Sequence, residues 1–159
     1  MSINITITLN GKKKTLAVAP TQSLLSALRN NAKAKEVKDG CSDGDCGACT
    51  VLMDGKAVNS CLVLAPAADG SEIVTVKGLG TAEAPSAVQE SFVNSGAIQC
   101  GYCTAGMVIS ATAFLNENPD PTRTEIREGL SGNLCRCTGY QKIIDAVANA
   151  AKKNHSQGE

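Results

Sequence analysis

Residues 39–51 read DGCSDGDCGACTV, a cysteine-rich and glycine-rich stretch with the spacing C-x4-C-x2-C. A further cysteine completes a first group of four, which consists of Cys41, Cys46, Cys49 and Cys61. This spacing is one of the arrangements that hold a [2Fe–2S] cluster through four thiolates. Gly40, Gly44 and Gly47 let the backbone wrap closely and point N–H groups at a buried anion. The stretch therefore predicts an iron–sulfur loop.

A second group of four cysteines lies in the other half of the chain. It joins a C-x2-C pair to a distant C-x-C pair: Cys100, Cys103, Cys135 and Cys137. Four thiolates again suffice for one [2Fe–2S] cluster. Two clusters in one small chain predict a relay that passes electrons.

Disulfides and zinc are the alternatives for these cysteines. The N-terminus MSINITITLN has no basic segment and alternates apolar with polar residues, so we expect a strand there and not a signal peptide. Without export, disulfides are disfavoured. Structural zinc remains open, although neither group has the two C-x2-C pairs of a zinc ribbon.

The 159 residues carry 15 basic and 15 acidic side chains. This balance gives no sign of a nucleic-acid or membrane-surface partner, and no apolar run has the length of a membrane span. We expect a cytoplasmic protein.

The N-terminal half has the pattern of strands around one helix. Strands are predicted at 3–9 and from about 16, joined by an Asn10-Gly11 turn. Further strands are expected at 51–53 and 57–64, which an Asp54-Gly55 turn joins and the second of which contains Cys61, and at 73–76. Thr21 is expected to cap the helix, which buries Leu24, Leu25 and Leu28. This order resembles the β-grasp fold of plant-type ferredoxins.

The C-terminal half has the pattern of four helices. They are predicted from Pro85 to Gly96, over about 104–116, from Thr122 to about Gly132, and along a stripe from Tyr140 to Ala151. Thr122 and Glu125 have the spacing of a capping box at the start of the third helix. If they pack antiparallel as a four-helix bundle, the loop between the first and second helices meets the loop between the third and fourth. Those loops carry the second cysteine group. We therefore predict an α+β protein with a β-grasp ferredoxin-like domain over 1–78, an all-α [2Fe–2S] domain over 79–153, and a polar tail over 154–159.

Three segments together resemble one protein family: DGCSDGDCGACTV, AIQCGYCTAGM and GNLCRCTGYQKI. They are similar to the signatures of the small iron–sulfur subunit of the xanthine dehydrogenase family of molybdenum hydroxylases. The resemblance implies partners, namely a large subunit with a molybdopterin cofactor and a medium subunit with FAD. It implies a hetero-oligomer, with a dimer of heterotrimers as one arrangement. Electrons would pass singly from molybdenum through the C-terminal and then the N-terminal cluster to FAD.

The resemblance also assigns roles to individual residues. Gln99 and Cys137 would contact the pterin, and Cys137 would also ligate iron. No residue of this chain is expected to be catalytic, so the chain alone should not turn over substrate. Sequence alone favours a simpler role for Gln99, as an amide that satisfies backbone groups at a helix end. Tyr102 and Tyr140 are expected to pack in the core, and His155 to be inert.

Two positions depart from the family pattern. Many relatives have glycine where Ser42 stands and proline where Ala105 stands. We expect the Ser42 hydroxyl to donate toward a cluster sulfur, and Ala105 to loosen the start of its helix at most.

The substrate of the whole enzyme is expected to be an N-heterocycle such as a purine or nicotinate. Two alternatives are a freestanding two-cluster ferredoxin, and the same subunit in an enzyme that oxidises aldehydes or carbon monoxide.

Overall fold

A computed structural model describes residues 1–156, with side chains to residue 153. Its N-terminal half is a five-stranded mixed sheet. The strands are β1 (Ile3–Leu9), β2 (Lys12–Val18), β3 (Thr50–Met53), β4 (Lys56–Asn59) and β5 (Glu72–Val74). The spatial order is β2-β1-β5-β3-β4, in which only the β1–β5 pair is parallel.

Two tight turns set the register of the hairpins. Asn10 and Gly11 have φ of 48° and 77°, and Asp54 and Gly55 have φ of 50° and 81°. Positive φ at both central residues is the geometry that matches the twist of paired strands. Both predicted turns are confirmed, with Leu9 opposite Lys12 and Met53 opposite Lys56. The return strand starts at Lys12, earlier than predicted.

Helix α1 (Leu24–Ser26) continues as a π-helical turn over Ala27–Asn31. The predicted burial of Leu24, Leu25 and Leu28 is confirmed. The predicted cap at Thr21 is wrong. The Ser23 hydroxyl accepts from the Ser26 N–H at 3.2 Å and caps a helix that begins at Leu24.

Two strands end earlier than predicted. β4 ends at Asn59, because the chain then turns and the Leu62 N–H donates to the Asn59 carbonyl at 2.9 Å. Cys61 therefore lies in this turn and not in a strand. β5 ends at Val74, and a 3₁₀ turn follows over Val76–Gly78.

The C-terminal half contains helices α2 (Ala87–Asn94), α3 (Thr104–Glu117), α4 (Arg123–Gly129) and α5 (Gln141–Ser156). α2 begins after Ser86, which makes a capping box with Gln89, so the predicted start at Pro85 is two residues early. The predicted capping box of Thr122 with Glu125 is confirmed. α3 starts at Thr104 as predicted, without proline at Ala105.

Two separate apolar clusters form the interior. One includes residues of β1, β2, α1 and β3, and the other joins α2 to α5. α5 extends to Ser156, into the segment predicted as a polar tail. Residues 157–159 and the side chain of His155 lie outside the described residues. Among the described helices, none has the length and apolar character to cross a membrane.

Candidate metal centres

The first cysteine group lies on the loop between α1 and β3 and on the turn after β4. Cys49 is 3% exposed, and the other three are half-buried. The Asp43 and Cys46 N–H groups each donate to the Cys41 sulfur at 3.4 Å. The loop therefore directs backbone donors at a sulfur, as predicted for a site that holds an anion.

Glycine is required at two positions of this loop. A Cβ at Gly40 would lie 2.6 Å from the Cys46 sulfur. Gly47 has φ of 68°, and a Cβ there would lie 2.5 Å from Asn133 Nδ2. The cysteines thus sit on backbone that tolerates no side chain at these points.

The second group comes from two loops, one between α2 and α3 and the other between α4 and α5. The sulfurs of Cys100 and Cys137 are 3.6 Å apart, and both residues are exposed. Cys103 contacts Cys135. The predicted meeting of these two loops is confirmed by the sulfur contacts.

The sulfurs of both groups associate in pairs. Cys41 contacts Cys46 and Cys49 contacts Cys61, just as Cys103 contacts Cys135 and Cys100 contacts Cys137. Within the described residues, no three Cys, His, Asp or Glu side chains are placed to hold one metal ion. A [2Fe–2S] cluster takes two thiolates on each iron, whereas structural zinc needs all four on one ion. The paired sulfurs fit the two-iron centre better.

The cysteine thiols differ in how strongly their surroundings favour the ionised thiolate. Backbone N–H groups of Asp43 and Cys46 lower the pKa of Cys41 to about 7. Burial, with a contact to Cys49, raises the pKa of Cys61 to about 11. Burial raises the pKa of Cys103 to about 12. At Cys135 burial opposes ionisation, but hydrogen bonds from Thr138, the Cys137 N–H and Cys103 together outweigh it and lower the pKa. Bound metal would supply the positive charge that the buried thiolates need.

Hydrogen bonds join the two cysteine loops directly. The Leu134 N–H donates to the Cys46 carbonyl at 2.9 Å, one residue before Cys135. Asn133, which is 6% exposed, donates through Nδ2 to the Gly47 carbonyl at 3.0 Å. Tyr102 donates to the Asp39 carbonyl at 2.5 Å. The two sites are therefore fixed against each other although their ligands belong to different apolar cores.

Two tyrosines and one serine near the cysteine loops had predicted roles. Tyr102 is 48% exposed and binds the first loop, so its predicted core packing is wrong. Tyr140 does pack against the helical core, and its hydroxyl accepts from the Cys135 N–H at 2.8 Å. The Ser42 hydroxyl donates to Asp39 Oδ1 at 2.7 Å and not toward a sulfur.

Gln99 is exposed, and its side-chain amide makes no hydrogen bond to the described residues. The simpler role, in which this amide satisfies backbone groups at a helix end, is therefore not what the structure shows. Gln99 lies beside exposed Cys100, on the same loop.

Two family models cover almost the whole chain. The model described as a 2Fe-2S iron-sulfur cluster binding domain matches residues 7–76, and that of a [2Fe-2S] binding domain matches residues 75–148. The nicotinate dehydrogenase small FeS subunit of Eubacterium barkeri is 48% identical, over 95% of this chain and 96% of its own. The xanthine dehydrogenase iron-sulfur-binding subunit of Escherichia coli O157:H7 is 46% identical, over 95% of this chain and 96% of its own.

The chain belongs to the small iron–sulfur subunits of the xanthine dehydrogenase family of molybdenum hydroxylases. The solved structure of quinoline 2-oxidoreductase from Pseudomonas putida 86 has a chain that superposes on this subunit with a TM-score of 0.93. The two are 47% identical, and the match covers 99% of this chain and 98% of the other. The α+β fold with two [2Fe–2S]-binding domains, and a role in electron transfer, are those of the family.

Sequence reasoning missed the residues that join the two sites. Asn133 and Leu134 were visible only as part of a motif around Cys135, and Thr50 and Asn59 only as strand residues. Asparagine between a glycine and a leucine gives no sign of a partner more than eighty residues away. The helical half packs against the sheet through α3 and β3, and these two segments meet in the folded chain.

Proposed function

We propose that this chain is the electron-transfer subunit of a molybdopterin-dependent hydroxylase. Cys41, Cys46, Cys49 and Cys61 hold the N-terminal [2Fe–2S] cluster, and Cys100, Cys103, Cys135 and Cys137 hold the C-terminal one. Bound clusters accept and release one electron at a time, from the molybdenum cofactor through the C-terminal cluster to the N-terminal cluster and on to FAD. The domain boundaries 1–78 and 79–153 follow the two ligand sets, with a β-grasp sheet in the first and a four-helix bundle in the second.

The observation that carries this proposal is the bond from the Leu134 N–H to the Cys46 carbonyl, at 2.9 Å. It connects Leu134, the residue before one proposed ligand, Cys135, to another proposed ligand, Cys46. A short covalent and hydrogen-bonded path thus runs from site to site. Rigid, closely spaced sites are what one-electron transfer needs, and the burial of Asn133 keeps water out of this contact.

The direction of transfer is inferred from exposure. Cys100 and Cys137 are exposed, and the exposed apolar residues Ile98, Tyr102 and Leu134 lie on the same two loops. Exposed apolar residues that border a site favour contact with another protein. We propose that the large subunit covers this face, and that Gln99 and Cys137 contact the pterin. The N-terminal site then faces the FAD subunit.

The substrate of the complex is proposed to be an N-heterocycle. The three relatives reported above are named for nicotinate, xanthine and quinoline, which all contain a ring nitrogen. This chain has no part in choosing among them, because the proposed site residues bind metal and cofactor only. The enzyme is proposed to be a cytoplasmic hetero-oligomer.

Replacing one ligand of each group tests the assignment of the clusters. Electron paramagnetic resonance (EPR) of the dithionite-reduced protein should show two [2Fe–2S] signals. Cys46→Ala should remove one signal and Cys135→Ala the other, because the ligand sets are separate. Loss of both signals in a variant that stays folded would contradict the division into two groups.

Purification from the native host tests the partners. The tagged chain should be recovered with two larger subunits, one containing molybdenum and one containing FAD. Recovery as a free monomer that still holds both clusters would favour the freestanding ferredoxin instead.

A further inference from the structure

A network of three polar side chains lies beneath the loop of the first cluster. Asn59, at the end of β4, donates through Nδ2 to the Gly44 carbonyl at 2.8 Å. Thr50 donates to the Gly47 carbonyl at 2.7 Å and lies 3.3 Å from Asn59 Oδ1. Asn133 Nδ2 reaches the same Gly47 carbonyl and lies 3.5 Å from the Thr50 hydroxyl. The three side chains connect the second cysteine loop to two peptides of the first.

Each of these peptides presents its opposite edge to a sulfur. A planar trans peptide points its C=O and the next N–H in opposite directions. The Gly44 carbonyl is held by Asn59, and the next N–H, that of Asp45, faces the Cys41 sulfur. The Gly47 carbonyl is held by Asn133, and the next N–H, that of Ala48, faces the Cys46 sulfur. Fixing the carbonyl therefore aims the donor.

The two carbonyls differ in how many donors hold them. Asn59 supplies the one hydrogen bond to the Gly44 carbonyl among the described residues. The Gly47 carbonyl also accepts from the Thr50 hydroxyl and N–H, so Asn133 is its third donor. Loss of Asn59 should therefore free the Gly44–Asp45 peptide to rotate. Loss of Asn133 should leave the Gly47–Ala48 peptide in place and only make it less polarised.

We propose that Asn59, Thr50 and Asn133 are positioning residues that set the reduction potential of the N-terminal cluster. Because Asn133 belongs to the loop of the second cluster, that loop influences the reduction potential of the first cluster. N–H donors stabilise the more negative, reduced cluster, so they raise its potential. This inference rests on the proposed function, since it requires that both groups hold clusters.

Redox titration of the intact chain, followed by EPR of each cluster, tests the network. The quantity compared is the ratio of reduced to oxidised N-terminal cluster at the potential where the wild type is half reduced. In Asn59→Leu this ratio should fall about fivefold, as expected when one hydrogen bond is lost. In Asn133→Leu it should fall about twofold, because two donors to the carbonyl remain.

Two controls separate positioning from general loss of structure. Asn149, on α5, is exposed, and its side chain bonds to Ser95 alone among the described residues, at 3.3 Å, so Asn149→Leu should leave both clusters unchanged. Thr50→Val removes one donor to the Gly47 carbonyl and leaves the Asn133 side chain in place, so it should shift the same cluster in the same direction. Electron–nuclear double resonance should show a weaker exchangeable-proton coupling at the N-terminal cluster in Asn59→Leu.

Different results would overturn the proposed network and the proposed function. Unchanged ratios and proton couplings in folded Asn59→Leu and Thr50→Val would overturn the network, as would equal shifts of both clusters. A wild-type chain with no sulfide and no EPR signal would overturn the proposed function instead.

Discussion

Gly47→Ala should loosen the contact between the two cysteine loops. The new Cβ would stand 2.5 Å from Asn133 Nδ2 and 2.8 Å from its Cγ, and would also press on the Gly132 carbonyl, which as backbone cannot rotate away. The residue must also keep φ near 68°, which costs an L-residue about 1–2 kcal/mol. Displacing a buried amide from its partner costs about 1–3 kcal/mol more.

Together these costs predict a loss of about 2–5 kcal/mol, or a fall of about 4–20 °C in apparent melting temperature for a chain of this size. Differential scanning fluorimetry measures this shift. The matched control is Gly55→Ala, because Gly55 has φ of 81° but no heavy atom within 4 Å of the added Cβ. The control should lose only the backbone term, about 1–2 kcal/mol. Equal losses in the two variants would refute the claim that Gly47 is required by the contact with the second loop.

Ser42 and Thr122 give two smaller predictions. Ser42 has φ of 59° and one exposed bond to Asp39, so Ser42→Gly should raise the melting temperature by up to about 4 °C; a fall of that size would show that the bond outweighs the strain. Thr122→Ala removes the cap of α4 and should cost about 1 kcal/mol in urea denaturation at pH 7. The Thr122 hydroxyl lowers the pKa of Glu125, so the contribution of this ionised carboxylate is present above pH 4.5 and lost as the pH falls through the lowered pKa. The difference in unfolding free energy between Thr122→Ala and the wild type should therefore become smaller in acid. A difference that does not change with pH would contradict the role of Glu125.

The local signals in the sequence were enough to predict most of the elements. Asn10-Gly11 and Asp54-Gly55 specify turns that few other pairs adopt, and the alternation of β1 fixes which face is buried. The capping box at Thr122 marks the start of α4. The two cysteine groups were predicted from spacing and helix order, and the structure brings each group together as sulfur pairs.

What the sequence could not supply depends on long-range contacts. The strand expected through Cys61 fails because the chain turns after Asn59, whose side chain is engaged with the Gly44 carbonyl of the cluster loop. The role of Tyr102 depends on the Asp39 carbonyl, which is distant in sequence. Hydropathy and periodicity describe only neighbours along the chain, so neither contact leaves a local pattern.

The zero net charge of the chain did not predict how charge is distributed over its surface. Seven of the 15 basic residues, but only one of the 15 acidic ones, fall within residues 1–38. The structure gathers three of them, Lys12, Lys14 and Lys33, together with Lys77 and Glu36 around a cavity of about 360 Å³. Zero net charge thus coexists with a basic region on the N-terminal half, which only the fold reveals.

Metal and sulfide analysis of the anaerobically purified chain, with EPR after reduction, tests the central claim most directly. Two [2Fe–2S] clusters predict about four irons and four acid-labile sulfides per chain, with two distinct EPR signals. About two zinc ions per chain, with no sulfide and no EPR signal, would contradict the electron relay and establish zinc as the metal of both cysteine groups.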